Sequence, residues 1–361
     1  MTPYLEIQDA LRRAPRRWLV TGVAGFIGSH LLETLLRLEQ SVVGLDSFAT
    51  GYQGNLDDVG SRVGPEAFRR FEFIEGDIRD AETCVSAARD VDVILHQAAL
   101  GSVPRSMVDP LSSHATNVDG FVNVTLAAHA AKVPRLVYAS SSSVYGDEPS
   151  EPKVEERRGK LLSPYAATKL VNEVYADTFR RTHGVESVGL RYFNVFGARQ
   201  DPLGAYAAVI PRWTEQLISG EPCAVFGDGS ASRDFCYVDN VVQANLLAAL
   251  APSERLGDGV FNVACGARTS LLELFAMIRD LVAASRPAAA GAELKREPPR
   301  AGDILHSLAS IERARERLAY RPEFDVRSGM LHTVRFYLDQ ADRAARSSGT
   351  LATAQPAREA S

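Results

Sequence analysis

The chain has 361 residues, 45% of them hydrophobic, which is enough to bury a sizeable core in one large or two closely joined domains. Its formal net charge of −5 and its lack of a basic stripe argue against a nucleic-acid-binding protein. The four cysteines and seven histidines show no metal-ligand spacing, and no signal peptide or membrane-length apolar run is present. We therefore expect a cytoplasmic protein that binds no metal, no nucleic acid and no membrane.

The first predicted elements are a helix, a strand, a glycine turn and a second helix. Residues 1–15 are amphipathic and charged, which indicates a helix before the first strand. Residues 18–20 are typical of a short buried strand, and an apolar pattern with helical spacing runs from Ile27 to Leu36. Between them, Gly22, Gly25 and Gly28 would let the backbone approach a pyrophosphate, which the free N–H groups of a helix N-terminus attract. This segment predicts a dinucleotide-binding turn.

Asp46 closes the second predicted strand, Ser-Val-Val-Gly-Leu-Asp. In a dinucleotide-binding domain, an acidic residue about 20 residues after the glycines binds a ribose 2′-hydroxyl. A carboxylate at this position would repel a 2′-phosphate, so the sequence favours NAD over NADP.

Further apolar strands each end at polar or small residues. Residues 71–74 lead to Asp77 and Ile78, residues 91–95 lead to the His-Gln-Ala-Ala segment, and residues 135–138 lead to four serines. Helical patterns lie between these strands, which predicts an α/β fold with a Rossmann-like, doubly wound parallel sheet. Ligands bind at the carboxyl ends of the strands in such sheets, so the residues just named are expected to surround a ligand.

Tyr165 and Lys169 lie four residues apart in Ser-Pro-Tyr-Ala-Ala-Thr-Lys, on one face of a predicted helix. A phenol has an ordinary pKa of about 10 and is a poor base at neutral pH. We expect the neighbouring ammonium to lower the pKa of Tyr165, so that the phenolate can take a proton from an alcohol.

The second half of the chain loses the strict alternation of strand and helix and indicates a smaller mixed α/β domain. We expect an NAD-binding domain over residues 1–195, a mainly substrate-binding domain over residues 196–340 and a disordered tail over residues 341–361. Residues 284–302, rich in Ala, Pro, Gly and charge, are predicted to form a loop that reaches the substrate.

Over residues 15–340 the chain resembles the extended short-chain dehydrogenases/reductases, and within them the sugar-nucleotide 4-epimerases. The resemblance is carried by the ordered motifs TGVAGFIG, LDSFATG, GDI, HQAA, ASSSSVYGD, SPYAATK, RYFNVFG, SRDFCYVDN and RAGDILHS. The segments LGSVPRS and GAYAAVIP are most similar to those of bacterial UDP-N-acetylglucosamine 4-epimerases of surface-polysaccharide pathways.

The resemblance implies a catalytic trio, in which Tyr165 is the base, Lys169 its electrostatic partner and Ser141 a hydrogen-bond donor to the reacting hydroxyl. It implies a reaction in which the 4-hydroxyl of a UDP-sugar is oxidised by NAD and the 4-keto sugar turns over before it is reduced on its other face. The related sugar 4,6-dehydratases carry an Asp-Glu pair where Ser142 and Ser143 stand, so elimination of water is not expected here.

The same resemblance assigns binding residues. The cofactor NAD is expected to contact Gly22, Gly25, Phe26, Ile27, Gly28, Asp46, Ser47, Phe48, Thr50, Gly51, Asp77, Ile78, Gln97, Ala98, Ala99, Thr116, Tyr165, Lys169, Tyr192 and Val195. The UDP-sugar is expected to contact Gly101, Ser102, Ser141, Ser142, Ser143, Asn194, Ala208, Val209, Arg233, Arg268, Arg300, Asp303 and Ser307.

Substrate choice is expected to depend on Ser307, because relatives restricted to glucose and galactose carry a bulky tyrosine at the matching position. A serine would leave room for an N-acetyl group. Two residues depart from the pattern of the relatives: Leu305 replaces an expected arginine or other residue, and Ser47 replaces the usual asparagine. Leu305 weakens the prediction of the substrate more than Ser47 weakens the prediction that the cofactor is NAD.

Three interpretations of function remain open at this point. The favoured one is a 4-epimerase that interconverts UDP-GlcNAc and UDP-GalNAc, including their uronic acid forms. The second is a UDP-glucuronate or UDP-glucose 4-epimerase, and the third is an NAD-binding sensor without catalysis. The resemblance also implies a homodimer held by a four-helix contact from the helices near residues 109–132 and 163–183.

Overall fold

The computed structural model describes residues 2–204, 207–298 and 305–352. Within these ranges the chain alternates strands and helices, as the sequence predicts for its first half. The strands are Arg17–Thr21 (β1), Ser41–Asp46 (β2), Phe71–Glu75 (β3), Val93–His96 (β4), Arg135–Ser141 (β5), Ser187–Tyr192 (β6), Val195–Phe196 (β7), Cys223–Phe226 (β8), Ser232–Arg233 (β9), Cys236–Tyr237 (β10), Val260–Val263 (β11), Thr269–Ser270 (β12) and Leu294–Glu297 (β13).

Most of the described helices lie between these strands, one extra helix precedes the first strand, and two follow β13. They are Pro3–Arg13 (α1), Phe26–Arg37 (α2), Gln53–Phe68 (α3), Ala81–Ala87 (α4), Val103–Val108 (α5), Pro110–His114 (α6), Gly120–Ala130 (α7), Pro164–His183 (α8), Val209–Ser219 (α9), Val238–Leu250 (α10), Ser253–Leu256 (α11), Leu271–Ala283 (α12), Glu312–Leu318 (α13) and Val326–Ala352 (α14). Short segments of other helical types are a π-helix at Ala115–Asp119 and 3₁₀-helices at Ser142–Tyr145 and Pro287–Gly291.

The largest sheet in the described ranges has seven parallel strands in the order β3-β2-β1-β4-β5-β6-β11. The chain leaves β1 in one direction to build β2 and β3, then crosses back to build β4 on the other side of β1. This confirms the predicted doubly wound α/β fold. The crossing point lies between the carboxyl ends of β1 and β4, which is where such sheets bind ligands.

Side chains from opposite faces of the sheet enter two separate cores. Val20 and Val137 pack with α2 and α10, whereas their neighbours Leu19 and Leu136 pack with α4 and α7. This alternation follows from the two-residue period of a strand, and apolar residues on both faces are typical of a sheet covered by helices on each side. The predicted extra helix is confirmed as α1, which packs against α10.

A smaller unit surrounds a third core formed by α9, α12 and α14 with the two-stranded parallel pair β8 and β13. Trp213, Phe275 and Met330 are among its buried side chains. The chain also returns to the large sheet after residue 196, because α10 packs on it and β11 pairs with β6. The division into domains at residue 195 stays a prediction, and the structure adds that the large sheet draws on both halves of the chain.

Two predictions about irregular segments are wrong. Part of the predicted loop at residues 284–302 forms a 3₁₀-helix and β13, because β13 can pair with β8. Part of the predicted disordered tail at residues 341–361 is helical, since α14 continues to Ala352. The apolar side chains of Val334 and Leu338 anchor this helix in the smaller core, and extending an existing helix is favourable for a sequence rich in Ala and Arg. No helix in the described ranges is long and apolar enough to cross a membrane.

Candidate active site

A cavity of about 820 Å³ opens at the carboxyl edge of the large sheet. Residues that follow β1, β2, β4 and β5 form one side of it, and residues that follow β6 and β7 form the other. The predicted cofactor residues in its wall are Gly22, Gly25, Phe26, Ile27, Gly28, Asp46, Ser47, Thr50, Gly51, Asp77, Ile78, Gln97, Ala98, Ala99, Thr116, Tyr165, Lys169, Tyr192 and Val195. Phe48 is not in this wall, because its ring packs against Phe73 with centroids 5.3 Å apart.

The glycine turn between β1 and α2 has no room for side chains. Gly22 has φ +71°, and a Cβ atom there would lie 2.7 Å from the backbone nitrogen of Ala98. A Cβ atom on Gly28 would lie 2.0 Å from the carbonyl oxygen of Gly22. The turn thus brings the N-terminus of α2 to the cavity, and no side chain of the described residues caps it at Gly25. A backbone cradle of this kind fits the pyrophosphate of a dinucleotide.

Asp46 braces this cradle from the end of β2. Its Oδ2 accepts a hydrogen bond from the backbone N–H of Ala24 at 2.9 Å, and its Oδ1 accepts one from Phe48 at 2.8 Å. Burial raises the pKa of Asp46, and the two backbone hydrogen bonds act in the opposite direction. Each carboxylate oxygen has a further lone pair, so Asp46 can still accept a hydroxyl of a ribose.

The predicted catalytic residues meet where α8 packs on the end of β5. Ser163 caps α8 by accepting a hydrogen bond from the backbone of Ala166 at 3.2 Å, and this places Tyr165 in the first turn of the helix. Ser141 lies close enough to Tyr165 to act on the pKa of the phenol. The Nζ atom of Lys169 lies 6.0 Å from the centroid of the Tyr165 ring.

The prediction that Lys169 lowers the pKa of Tyr165 is wrong. Burial in the cavity wall raises the pKa of Tyr165, and the neighbouring side chain of Ser141 is what acts to lower it. Lys169 is also buried, and its Nζ donates a hydrogen bond to the carbonyl oxygen of Ala139 at 2.8 Å. Burial lowers the pKa of Lys169 to about 8, because the ammonium loses hydration. The ammonium therefore keeps its charge at pH 7 and loses it as the pH rises through about 8.

His96 was expected among the ligand-binding residues but belongs to the core. It is buried at the end of β4, and its Nδ1 lies 2.7 Å from the hydroxyl oxygen of Thr21. That hydroxyl also accepts a hydrogen bond from the backbone N–H of Ala98 at 3.3 Å. Burial and the charge of Lys169 lower the pKa of His96 to about 3, and the ring is neutral.

A second cavity of about 270 Å³ adjoins the first and shares Asn194, Val195, Ala207 and Ala208 with it. Aromatic side chains and two arginines dominate its remaining wall, which includes Trp213, Phe226, Phe235, Arg212 and Arg233. The wall also contains the predicted substrate residue Val209. Aromatic faces and guanidinium groups suit a planar base and phosphate oxygens.

The other predicted substrate residues are distributed unevenly. Gly101 and Ser102 line the first cavity with Ser141. Ser142 and Ser143 lie in the 3₁₀ turn behind Ser141, and the hydroxyl oxygen of Ser143 is 2.9 Å from that of Ser141. Within the described ranges these two serines are in neither cavity wall.

Arg268 and Ser307 are likewise outside both walls, and Arg300 and Asp303 lie outside the described residues. Arg268 forms an ion pair with Glu151. The backbone N–H of Ser307 donates a hydrogen bond to the carbonyl oxygen of Ser232 at 3.1 Å. Ser307 therefore contacts β9, the strand that contains Ser232 and Arg233.

Sequence reasoning missed a link at the exposed rim of the first cavity. The Oη atom of Tyr52 donates a hydrogen bond to Oδ2 of Asp201 at 2.7 Å, and both residues line the cavity. The bond joins the loop that follows β2 to the segment that follows β7. Arg199 holds the same segment through Glu33 at 2.8 Å and Asp58 at 2.9 Å. No local pattern could reveal the pairing of residues 149 positions apart.

The described residues contain no group of three or more His, Cys, Asp or Glu side chains arranged to hold a metal ion. The four cysteines are free thiols. The cavity wall contributes a phenol, an ammonium, hydroxyl groups, carboxylates, guanidinium groups and backbone N–H groups.

Comparisons with known proteins agree with this geometry. Residues 18–264 match the model of the NAD dependent epimerase/dehydratase family. The chain is 39% identical to a UDP-glucose 4-epimerase of Mycolicibacterium smegmatis, with 90% of this chain and 99% of that protein covered. It is 33% identical to UDP-glucuronate 4-epimerase 4 of Arabidopsis thaliana, with 89% of this chain and 75% of that protein covered.

A solved structure is similar over a comparable length. It is the UDP-N-acetylglucosamine 4-epimerase of Methanobrevibacter ruminantium M1 in complex with UDP-N-acetylmuramic acid. It superimposes with a TM-score of 0.82 at 34% identity, covering 90% of this chain and 99% of that chain.

We predict that Asp46→Asn weakens the preference for NAD over NADP. The substitution keeps the shape of the side chain but removes the negative charge that repels a 2′-phosphate. We expect the ratio of the dissociation constants for NADP and NAD to fall roughly 10-fold, which corresponds to about 1.4 kcal/mol. Titration calorimetry with both cofactors measures the ratio, and Asp57→Asn, on an exposed helix, is the control. An unchanged ratio would show that Asp46 does not select the cofactor.

Proposed function

The chain belongs to the NAD-dependent epimerase/dehydratase family of the extended short-chain dehydrogenases/reductases, and on that premise we propose that it is a UDP-sugar 4-epimerase acting on UDP-N-acetylhexosamines. One observation carries the proposal. Ser141, Tyr165 and Lys169 meet in the wall of a cavity that has a glycine cradle at one end and an aromatic, arginine-bearing pocket beside it. Such a cavity can hold a dinucleotide and a nucleotide-sugar against the same base.

Tyr165 is the group that moves the proton of the sugar 4-hydroxyl. Ser141 acts on the pKa of the phenol in the direction that favours the phenolate, and its hydroxyl can also contact the reacting oxygen. Lys169, fixed by the carbonyl of Ala139, places a positive charge near the phenol below pH of about 8. NAD, when bound by the glycine turn and Asp46, would supply the acceptance and return of the hydride at C4. Tyr165 then returns the proton to the oxygen on C4, and the configuration is inverted because the sugar has turned over before C4 is reduced.

Two features support return of the electrons over elimination of water. In the turn at residues 142–145, which the structure describes fully, the side chains are two serines, a valine and a tyrosine, and none is a carboxylate. Ser143 instead bonds to Ser141. Elimination requires an added acid and base, as in the dehydratases that carry an Asp-Glu pair at these positions. A 4-keto sugar bound here is therefore expected to be reduced and not to lose water.

Inversion requires that the nucleotide be held while the sugar turns. The second cavity can supply this hold, since Arg233 and the aromatic side chains of Trp213 and Phe226 line it. Asn194 lies in the wall between the two cavities, and its side chain is fixed by a hydrogen bond to the carbonyl oxygen of Asp234 at 3.1 Å. The diphosphate would pass this wall and leave the sugar in the larger cavity.

The choice of an N-acetylated sugar rests on small residues near the site. Gly101 and Ser102 line the larger cavity, and Ala207 and Ala208 line both. Ser307 sits next to the Arg233 segment through its bond to Ser232. Relatives and similar structures are named for UDP-glucose, UDP-glucuronate and UDP-N-acetylglucosamine. One observation favours UDP-glucuronate as second candidate: Arg105 is among the residues that line the larger cavity, and an arginine there suits a substrate that carries a carboxylate.

We predict that Tyr165→Phe lowers turnover of every UDP-sugar at least about 100-fold while leaving UDP-sugar binding intact, because only the proton-transfer group is lost. Proton NMR of the wild type with UDP-GlcNAc, UDP-glucose and UDP-glucuronate identifies the preferred sugar, and calorimetry of the variant measures binding. Tyr175→Phe removes an exposed phenol from the same helix and serves as the control. Near-normal turnover by Tyr165→Phe would refute the mechanism, and a wild type without epimerase activity would refute the function.

A second prediction concerns Ser307→Tyr. The added ring should reduce kcat/KM for UDP-GlcNAc at least about 10-fold more than for UDP-glucose, because the N-acetyl group needs the space during rotation of the sugar. Ser307→Ala, which keeps the space, should leave the ratio unchanged. Equal losses on both sugars would remove Ser307 as the determinant.

We also propose a homodimer formed by α7 and α8 of each subunit. Leu126, Val174 and Tyr175 are apolar residues with exposed fractions of 43%, 57% and 39%, and they belong to these two adjacent helices. In contrast, Phe121 and Val124 are buried within the subunit. An exposed apolar surface of two packed helices suits pairing with a second copy.

We predict that light scattering at micromolar concentration gives twice the mass of one chain, and that Val174→Asp gives the mass of one chain because it places a charge in the contact. Leu331→Asp, at an exposed apolar position on α14, should leave the dimer intact. A wild type that is monomeric would contradict the proposal.

A further inference from the structure

A buried ion pair lies behind the catalytic residues. Glu173 on α8 and Arg191 on β6 are joined by two hydrogen bonds, from Nε to Oε1 at 2.9 Å and from Nη2 to Oε2 at 2.8 Å. Both side chains are almost fully buried, with exposed fractions of 8% and 5%. Neither residue is in the wall of the two cavities described above, so direct contact with substrate does not explain the pair.

The pair is linked to the catalytic strand through Ser140. The hydroxyl of Ser140 donates a hydrogen bond to Oε1 of Glu173 at 2.6 Å. Charge-assisted hydrogen bonds of this length are stronger than those between neutral groups. Ser140 precedes Ser141, so the carboxylate holds the residue next to a predicted catalytic hydroxyl.

Three consecutive residues of β5 face three residues of α8 spaced four apart, and two of them are held by hydrogen bonds. Ala139 accepts from Lys169 through its carbonyl at 2.8 Å, Ser140 donates to Glu173, and Ser141 lies close enough to Tyr165 to act on the pKa of the phenol. Side chains at this spacing share one face of a helix. These contacts fix the position of the end of β5 along the axis of α8. This is the point at which Ser141 must lie next to Tyr165.

Arg191 is itself fixed from the opposite side. Its Nη1 donates to the carbonyl oxygen of Glu155 at 3.1 Å, and its guanidinium carbon lies 4.8 Å from the centroid of the Tyr145 ring. The Oη atom of Tyr145 donates to Oδ1 of Asn262 on β11 at 2.6 Å. Glu173 therefore rests on a network that includes two neighbouring strands, and its carboxylate cannot shift without disturbing them.

Stability alone is a poor explanation for this arrangement. Taking two charges out of water is costly, and replacement of a buried pair by apolar residues often leaves stability unchanged or improved. A bidentate pair does, however, define the position of its carboxylate to within a narrow range. The geometry is thus suited to positioning a neighbouring group.

We propose that Glu173, held by Arg191, is a positioning residue that acts through Ser140 to keep the Ser141 hydroxyl in register with Tyr165. The inference rests on the proposed epimerase function and adds to it a residue remote from the substrate. Loss of Glu173 should lower kcat and not substrate affinity. Misplacement of a reacting group by about 1 Å can lower the rate up to 100-fold without changing binding elsewhere in the site.

Ser140→Ala removes the linking hydroxyl and leaves the buried ion pair in place. Because Ser140 also lines the larger cavity, this variant is compared with Glu173→Gln, which leaves that hydroxyl in place. We expect kcat for the preferred UDP-sugar to fall roughly 10-fold in Ser140→Ala, with KM and UDP affinity unchanged and the variant still folded at the assay temperature. Ser140→Thr retains a hydroxyl and should recover most of the lost kcat. The matched control is Ser187→Ala, which removes a buried serine hydroxyl at the opposite end of the neighbouring strand β6.

Glu173→Gln should also lower kcat. If that variant does not fold, Ser140→Ala alone tests the proposal. Unchanged kcat in Ser140→Ala, a rise in KM at constant kcat, or a fall in kcat matched by loss of folded protein would each overturn the inference while the epimerase function stands. A wild type that epimerises no UDP-sugar would overturn both. Failure of the two proposals is therefore distinguishable.

Discussion

The packing of α8 against the carboxyl end of β5 is the contact on which the rest of the site depends. It brings the phenol of Tyr165 to the hydroxyl of Ser141, and it buries Lys169 against the carbonyl of Ala139. The glycine turn after β1 and the carboxylate of Asp46 complete the opposite side of the same cavity. Because Ser141, the glycine turn and Asp46 lie at the carboxyl ends of parallel strands and α8 packs on the end of β5, the doubly wound sheet places these groups together without a dedicated active-site domain.

Much of this could be predicted from the sequence, because the relevant signals are local. The apolar run before Gly22, the three-residue spacing to Gly25 and Gly28, and the helical spacing of Tyr165 and Lys169 each specify a short piece of backbone. A parallel sheet then orders those pieces along one edge. Of the predicted cofactor residues, Phe48 alone fell outside the cavity wall, and the reason is an aromatic contact with Phe73 that a pattern of single residues does not contain.

What could not be predicted depends on burial and on distant partners. The spacing of Tyr165 and Lys169 suggested an ammonium that controls the phenol, yet burial governs the pKa of both groups and the amine is bound to a main-chain carbonyl. Arg268 was assigned to substrate because of its motif, but the fold pairs it with Glu151. The extension of α14 also escaped prediction, since its anchor is the packing of Val334 and Leu338 in the smaller core and not the composition of the segment that follows.

The return of the chain to the large sheet has a consequence for how ligands get in and out. After β7 the chain enters the smaller core, comes back through α10 and β11, and then departs again for α12. Several crossings of the chain between two bodies restrict their relative movement more than a single linker would. The solvent-exposed hydrogen bond between Tyr52 and Asp201 joins two segments of the cavity rim, so any separation of those segments would have to break it.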